Sequence, residues 1–164
     1  MSYNDVHHME PRITIQPERA DSPDATALVE ELEAHLASRY PAESRHGFSV
    51  DRLLAEGVRF FVLRVDGTAA ACGGILFVDD AAGPYGEIKR MYVRPAFRGR
   101  GLGARMLDRL TVEARGRGIG LLRLETGVDQ VEAIKLYERA GFRRCPPFGP
   151  YRDDPLSPCY ERPL

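Results

Sequence analysis

Residues 98–103, Arg-Gly-Arg-Gly-Leu-Gly, combine glycine and arginine at the point where an extended run of sequence gives way to a helical one. Glycine has no side chain, so it lets the backbone approach a ligand closely and adopt left-handed conformations. Free N–H groups at the start of a helix attract negative charge, and arginine side chains add charge-assisted hydrogen bonds. The residue types and their spacing therefore predict a binding site for an anion.

The distribution of charge along the chain supports this prediction. The net charge is −1, but between Lys89 and Arg123 ten Lys and Arg residues face only Asp108 and Glu113, so this stretch carries +8 and the rest −9. A solvated helix face usually alternates residues of opposite sign, which this stretch does not. Nucleic-acid binding is a second explanation, but the charges cluster around one glycine loop and no nucleic-acid motif accompanies them.

Two phosphate-binding patterns fit the glycines. Residues 99–104 match the dinucleotide fingerprint G-x-G-x-x-G/A, and Glu125 ends the next predicted strand, about where a ribose-binding acid belongs. However, Pro95 and its neighbours separate these glycines from the preceding strand, whereas a dinucleotide turn follows its strand almost at once. A predicted hairpin also precedes the loop. The second pattern, R-x-x-G-x-G over residues 98–103, is therefore favoured.

The elements that must position this loop are strands and helices in irregular alternation. Period-two patterns predict strands, apolar residues at helical spacing predict helices, and Asp66-Gly67 is the strongest hairpin signal. The predicted strands lie at 12–17, on both sides of Asp66-Gly67 within 59–80, at 86–93, at 121–126 and on either side of residues 145–158, and the predicted helices lie within 22–39, 49–57, 102–116 and 130–141. The order β-α-α-β-β-β-α-β-α-β-β is a mixed α/β layer.

Two segments resemble the GNAT superfamily of acyl-CoA-dependent N-acetyltransferases. "EIKRMYVRPAFRGRGLGARML" is similar to the family's fourth strand, pyrophosphate loop and third helix, and "VEAIKLYERAGF" to its A-x-x-L-Y-x-x-x-G-F segment. Order and spacing agree from about residue 59 to residue 145. The resemblance implies an α/β (α+β) fold with a mixed, mostly antiparallel central sheet of six to seven strands and about four helices on both faces. It also implies a single N-acetyltransferase domain over residues 1–164, with residues 1–11 flexible.

The resemblance further implies acetyl-CoA as the acyl-donor cosubstrate. The pyrophosphate and 3′-phosphate of coenzyme A suit a helix N-terminus, and the backbone of residues 91–93 would pair with the pantetheine arm. In the family, a bulge in this strand splays it from the next one. Gln130 stands where the family often has Asn. The cofactor-binding residues expected on this basis are Met91, Tyr92, Val93, Arg98, Gly99, Arg100, Gly101, Leu102, Gly103, Ala104, Gln130 and Tyr137.

The same resemblance nominates two catalytic residues. Tyr137 lies where the family has its general-acid tyrosine, although a core role is an alternative because Ala133, Leu136 and Ala140 share its predicted helix face. Glu87 lies at the strand position from which some members use a glutamate as the base, often through water. Strict alternation would place Glu87, Lys89 and Met91 on one face of the strand, and Ile88, Arg90 and Tyr92 on the other.

The acceptor is expected between the first two helices and the C-terminal strand pair. It would be a small-molecule amine, and Arg39, Arg45 and His46 would hold its carboxylate or phosphate. The full set of proposed substrate residues is Arg39, Tyr40, Arg45, His46, Glu87 and Tyr151. Two alternatives stay open, namely acetylation of a protein lysine or N-terminus, which needs an open groove, and a non-catalytic CoA-binding regulatory module.

Composition limits the remaining classes. No apolar run approaches the roughly 20 residues that cross a bilayer, and the first residues lack the apolar core of a signal peptide, so a cytoplasmic protein without a membrane or nucleic-acid partner is expected. Cys72, Cys145 and Cys159 are odd in number and widely spaced, as in reduced proteins. No metal is expected, because no Cys/His pair has zinc-ligand spacing. A homodimer is one possible assembly.

Overall fold

The computed structural model of the chain describes residues 9–164. Most of segment 1–11, for which flexibility is expected, thus lies outside the described residues. Within the described range, no helix is both long and apolar enough to cross a membrane.

Seven strands of the described residues form one sheet, and its mixed, mostly antiparallel character is as expected. The strands are β1 (Ile13–Pro17), β2 (Arg59–Val65), β3 (Thr68–Asp80), β4 (Gly83–Val93), β5 (Leu121–Glu125), β6 (Arg143–Cys145) and β7 (Cys159–Pro163). Their order across the sheet is β1-β2-β3-β4-β5-β7-β6, and β4 with β5 is the parallel pair while the other neighbours are antiparallel. The predicted hairpin at Asp66-Gly67 is confirmed, with both residues at positive φ.

Between residues 9 and 164, four α-helices cover the two faces of the sheet. They are α1 (Pro23–Ala37), α2 (Val50–Ala55), α3 (Leu102–Gly116) and α4 (Val131–Arg139). Alternation along β2 sends Phe61 and Leu63 to the core beneath α3 and α4, and Phe60 and Val62 to the core beneath α1 and α2. Ser49, the first residue of the helix predicted within 49–57, is the N-cap of α2, and its side chain accepts a hydrogen bond from the Arg52 N–H at 3.2 Å.

A β-bulge interrupts β4 and overturns the expected strict alternation. Gly74 pairs with Lys89 and Cys72 pairs with Tyr92, so Arg90 and Met91 together face one residue of β3. Arg90 has φ +54°, an uncommon conformation for a residue with a side chain. The extra residue puts Arg90 on the α1 side together with Lys89 and moves Met91 to the α3 side, so the prediction that Met91 shares a face with Lys89 is wrong. The prediction that Arg90 and Tyr92 share a face with Ile88 is also wrong, because Ile88 packs in the core beneath α3.

The sheet opens beyond the first part of β4. This strand pairs with β5 only at Gly86–Leu122 and Glu87–Arg123, whereas β5 pairs along its whole length with β7. Past Glu87 the two parallel strands diverge. The splay that the family resemblance implied is therefore present, and it produces a cleft between the C-terminal halves of β4 and β5.

Candidate active site

The cleft at the divergence of β4 and β5 collects side chains from five parts of the chain. They come from the end of α1, the loop of residues 40–47, β4, the end of β5 with the start of α4, and the loop of residues 146–158. The lining residues used below are Tyr40, Arg45, His46, Glu87, Lys89, Glu125, Gln130, Tyr137 and Tyr151. Most of them are polar, although they are buried or half-buried.

The glycine loop meets the requirements of an anion site through its backbone. Gly99 and Gly101 have φ of +78° and +72°, and a Cβ atom added to either would meet nothing within 4 Å. Gly101 is the N-cap of α3, and the first helical hydrogen bond runs from the Arg105 N–H to the Gly101 carbonyl at 3.2 Å. The N–H groups of residues 102–104 therefore have no helical acceptor and face outward at the positive end of the helix dipole.

The remaining residues of this loop have more varied surroundings. The Arg98 Nε donates to the Val93 carbonyl at 3.0 Å, and the Arg100 guanidinium lies 5.4 Å from the centre of the Phe97 ring. Gly103 differs from the other two loop glycines, because an added Cβ would lie 3.0 Å from Cδ2 of Leu136. Its missing side chain lets α3 pack closely against α4.

Tyr137 projects from α4 into the core and reaches the cleft. It is 5% exposed, packs edge-to-face on Phe142 with ring centres 5.8 Å apart, and also lines the cleft. Burial, with a smaller effect of the Glu125 charge, raises the pKa of the Tyr137 hydroxyl. The Tyr137 hydroxyl is therefore protonated and can act as a donor. Tyr137 can thus pack in the core and serve as the acid at the same time.

Glu87 belongs to a closed hydrogen-bonded triad. Its Oε2 accepts from the Tyr151 hydroxyl at 2.6 Å and lies 2.6 Å from the Lys89 Nζ, which itself donates to the Tyr151 oxygen at 2.8 Å. The Lys89 Nζ also lies 4.0 Å from the centre of the Phe48 ring. Glu87 is only 3% exposed. Burial and the Glu87 charge raise the pKa of Tyr151, so this phenol stays a donor to the carboxylate.

Glu125 is a second carboxylate in the cleft, and it has fewer partners. Its Oε1 accepts from the Ser157 hydroxyl at 2.5 Å. Burial raises the pKa of Glu125, and the Glu87 charge adds to this, whereas the Ser157 hydrogen bond, His46 and Lys89 act in the opposite direction. From the sequence alone, Glu125 was a candidate only for a ribose-binding acid. The signal in the sequence that could have identified Glu125 as a site residue was its charge at the end of an otherwise buried strand.

The loop of residues 40–47 closes the other wall of the cleft. The Tyr40 hydroxyl accepts from the Asp129 N–H at 3.0 Å and from the Gln130 Nε2 at 3.5 Å, and the ring lies directly against Gly127. The Gln130 Oε1 is 3.3 Å from the His35 Nε2. The predicted residues Tyr40 and Gln130 are thus neighbours, and both line the cleft.

Of the three residues predicted to bind an acidic group of the acceptor, two line the cleft and one, Arg39, does not. Arg45 and His46 line the cleft, where Arg45 pairs with Glu33 at 2.9 Å and His46 stacks edge-on against Tyr151 at 5.3 Å. Arg90 pairs with the other oxygen of Glu33 at 2.8 Å. Arg39 is exposed and is not among the residues that line the cleft, so the fold does not bring it together with the others.

Comparison with known proteins finds a family whose sequence model matches this chain. The sequence model of the acetyltransferase (GNAT) family matches residues 25–142. An IAA acetyltransferase from Azospirillum brasilense is 45% identical over 154 residues, which cover 94% of this chain and 99% of that protein.

Solved structures agree with the fold. A protein from Klebsiella pneumoniae, described as a candidate acyl-CoA N-acyltransferase, is 34% identical and superimposes with a TM-score of 0.76, covering 93% of this chain and 97% of that one. A candidate acetyltransferase from Salmonella typhimurium, solved with its cofactor acetyl-CoA, is 23% identical with a TM-score of 0.66 over 93% of this chain and 94% of that one. This second likeness shows a shared fold.

Proposed function

Because the chain belongs to the acetyltransferase (GNAT) family and is an acyltransferase, we propose that it transfers the acetyl group of acetyl-CoA to the amine of a small-molecule acceptor. The transfer occurs by direct attack in a ternary complex. The observation that carries this proposal is that the buried, protonated Tyr137 and two carboxylates, Glu87 and Glu125, line one cleft where β4 and β5 diverge. We also propose that residues 1–164 form one N-acetyltransferase domain, since all seven strands described belong to one sheet.

The donor half of the site would be formed by β4 and the glycine loop. Acetyl-CoA supplies the acetyl thioester when it is bound. The N–H groups of residues 99–104 and the side chains of Arg98 and Arg100 would hold its pyrophosphate, for which the space beside Gly99 and Gly101 supplies room. The backbone of residues 91–93 would hold the pantetheine arm as an added strand. Gln130 and Tyr137 would contact the end of the arm from α4.

The chemical step needs three contributions from the chain. A backbone N–H taken out of regular pairing by the bulge at Arg90 and Met91 would stabilise the developing oxyanion. Tyr137 would donate its proton to the departing thiolate, because burial keeps the phenol protonated. One of the two carboxylates, Glu87 or Glu125, would accept a proton from the acceptor amine.

The acceptor half favours a small molecule over a protein. Tyr40, Tyr151 of the loop of residues 146–158 and Tyr137 of α4 all line the cleft. The hydrogen bond from Ser44 to Asp154, at 2.7 Å, ties the loop of residues 40–47 to the loop of residues 146–158. A protein lysine or N-terminus would need an open groove. The proposed acceptor contacts are Tyr40, Arg45, His46, Glu87 and Tyr151; Arg39, being exposed away from them, would act only on a longer acceptor.

A thiol-release assay tests the proposal. The protein is incubated with acetyl-CoA and a panel of primary amines, amino acids, basic peptides and IAA, the compound in the name of the Azospirillum brasilense relative. Release of coenzyme A well above hydrolysis with one small amine, lost in Tyr137→Phe, is the expected result. Turnover with peptides alone would favour a protein acetyltransferase. Tight acetyl-CoA binding without turnover on any acceptor would favour the regulatory module.

A further inference from the structure

Two of the three cysteines lie directly opposite each other at one edge of the sheet. Cys145 ends β6, Cys159 begins β7, and the two residues are partners in the antiparallel register of these strands. Both thiols are free. We propose that they form a dithiol site, which a small disulfide oxidises to a Cys145–Cys159 bridge that closes the base of the loop of residues 146–158. The site is independent of the acetyl transfer proposed above, because it involves the thiols alone.

The geometry of this strand pair meets the requirements of a disulfide. Directly opposite residues of an antiparallel pair have Cα atoms about 4.5–5.5 Å apart, and their side chains leave the sheet on the same face. A disulfide needs a Cα separation of about 4.4–6.8 Å. Cys145 and Cys159 also pack against one apolar cluster, which includes Tyr85 and Phe148. The bridge therefore forms without a change in the register of either strand.

The two thiols differ in access, and this difference sets the order of the reaction. Cys145 is half-buried on β6, the outermost strand of the sheet, whereas Cys159 is 2% exposed. A dissolved disulfide therefore reaches Cys145 first, and Cys159 resolves the mixed disulfide. Burial raises the pKa of both thiols, that of Cys159 to about 11, so both are protonated near neutral pH and their oxidation is slow.

The oxidation balances with a low-molecular-weight disulfide, such as oxidised glutathione, as the oxidant. The Cys145 sulfur attacks one sulfur of oxidised glutathione, the bond between the two glutathione sulfurs breaks, and one glutathione leaves with the proton of Cys145. The Cys159 sulfur then attacks the Cys145 sulfur, and the second glutathione leaves with the proton of Cys159. The protein loses two electrons and two protons, and one small disulfide is reduced to two thiols.

The bridge ties together the two ends of a loop that forms part of the cleft. Within this loop, the Tyr151 hydroxyl donates to Glu87 and accepts from Lys89, and the Asp154 carboxylate accepts from the Ser44 hydroxyl. One end of the loop is held by β6, an edge strand of three residues. Local opening costs little free energy where few contacts hold a segment. Oxidation therefore makes the loop less free to open and leaves its side-chain contacts in place.

Peptide mapping without reduction tests the bridge. The reduced protein is incubated with oxidised glutathione in mild alkali, its free thiols are blocked with iodoacetamide in urea, and it is cut with trypsin. Cleavage after Arg144 and Arg152 separates the two cysteines, so the bridge joins peptide 145–152 to peptide 153–164. We expect this joined pair, with Cys72, which is fully buried, blocked as a free thiol. Glutathione retained on Cys145 beside a free Cys159, or both thiols free after prolonged incubation, would overturn the proposal.

Urea denaturation and hydrogen exchange test the closure of the loop. A cross-link that closes a loop of about 15 residues should lower the unfolding constant by roughly a hundredfold. Exchange of the backbone amides of residues 148–157 should slow in the oxidised protein, and dithiothreitol should reverse both changes. Cys145→Ser is the matched control, because it keeps a small side chain at this position but cannot form the bridge, so the oxidant should change neither quantity. A bridged protein with the unfolding constant and amide exchange of the reduced protein would refute the closure.

Discussion

The proposed donor and acceptor halves of the site are built in opposite ways. The proposed donor half is the glycine loop, six consecutive residues that lead into α3, whose first N–H groups have no helical acceptor. The acceptor half depends on side chains that meet from distant parts of the chain, such as Glu87 with Tyr151, 64 residues apart, and Glu125 with Ser157, 32 residues apart. A local backbone device suits a constant ligand such as a pyrophosphate. A side-chain network varies more easily from one relative to another, which suits recognition of different acceptors.

Tyr137→Phe tests the point where the two halves meet and has the largest expected effect. Turnover at saturating acetyl-CoA should fall about 10²- to 10⁴-fold, because the proposed general acid is lost. Affinity for acetyl-CoA and stability should change little, since the ring still packs on Phe142. Steady-state kinetics and calorimetric titration measure the two quantities. Near-normal turnover with chemistry rate-limiting would make Tyr137 a core residue only.

Lys89→Met tests whether the acceptor half is a tightly coupled network. The change leaves Glu87 buried without its cation, so the free energy of unfolding should fall by about 3–5 kcal/mol in urea denaturation. The double variant Lys89→Met with Glu87→Gln removes both charges and should recover much of that loss. Additive effects of the two single substitutions would mean that the pair is not energetically coupled.

Gly101→Val tests the donor half alone. Acetyl-CoA at 100 times its dissociation constant should stabilise the unmodified protein by about 2.7 kcal/mol, or roughly 5–10 °C in Tm. This shift should disappear in Gly101→Val, because the branched side chain fills the space beside the loop and resists its left-handed backbone.

Gly118→Val is the matched control. Gly118 has φ +71°, close to the +72° of Gly101, and an added Cβ is equally unobstructed, but Gly118 lies at the opposite end of α3. Both variants should lose similar intrinsic stability, and the acetyl-CoA shift should survive only in Gly118→Val. Loss of the shift in both would assign the effect to backbone strain.

Gly103→Val sharpens the distinction within the glycine loop and has the smallest expected effect. Its added side chain meets Leu136, so the unliganded protein should lose about 1–3 kcal/mol of stability through overpacking between α3 and α4. A second substitution, Leu136→Ala, makes room and should restore part of that loss. Thermal denaturation of the single and double variants checks this. No destabilisation in Gly103→Val would mean that the two helices separate without cost.

Short-range patterns predicted most of the fold. Asp66-Gly67 specified the hairpin, Ser49 capped its helix, and apolar residues at helical spacing located α3 and α4. Each of these signals depends on a residue's own conformational preference or on a period within one element. The bulge at Arg90 and Met91 was not located, because no glycine or proline marks it. Strict alternation therefore put Met91 on the wrong face.

The sequence by itself determined the donor half. Its glycines have backbone conformations that depend on the residues themselves, and its charge and position before a helix are visible along the chain. Only the tertiary structure decided the acceptor half. In the folded protein Glu87 is the partner of Lys89 and Tyr151 and is no longer a free candidate for the base. Arg39 lies outside the cleft. Folding also brings Glu125 together with Ser157 and Tyr137. The physical reason is that burial and hydrogen bonding set the chemistry of a carboxylate, and both depend on segments that meet only after folding.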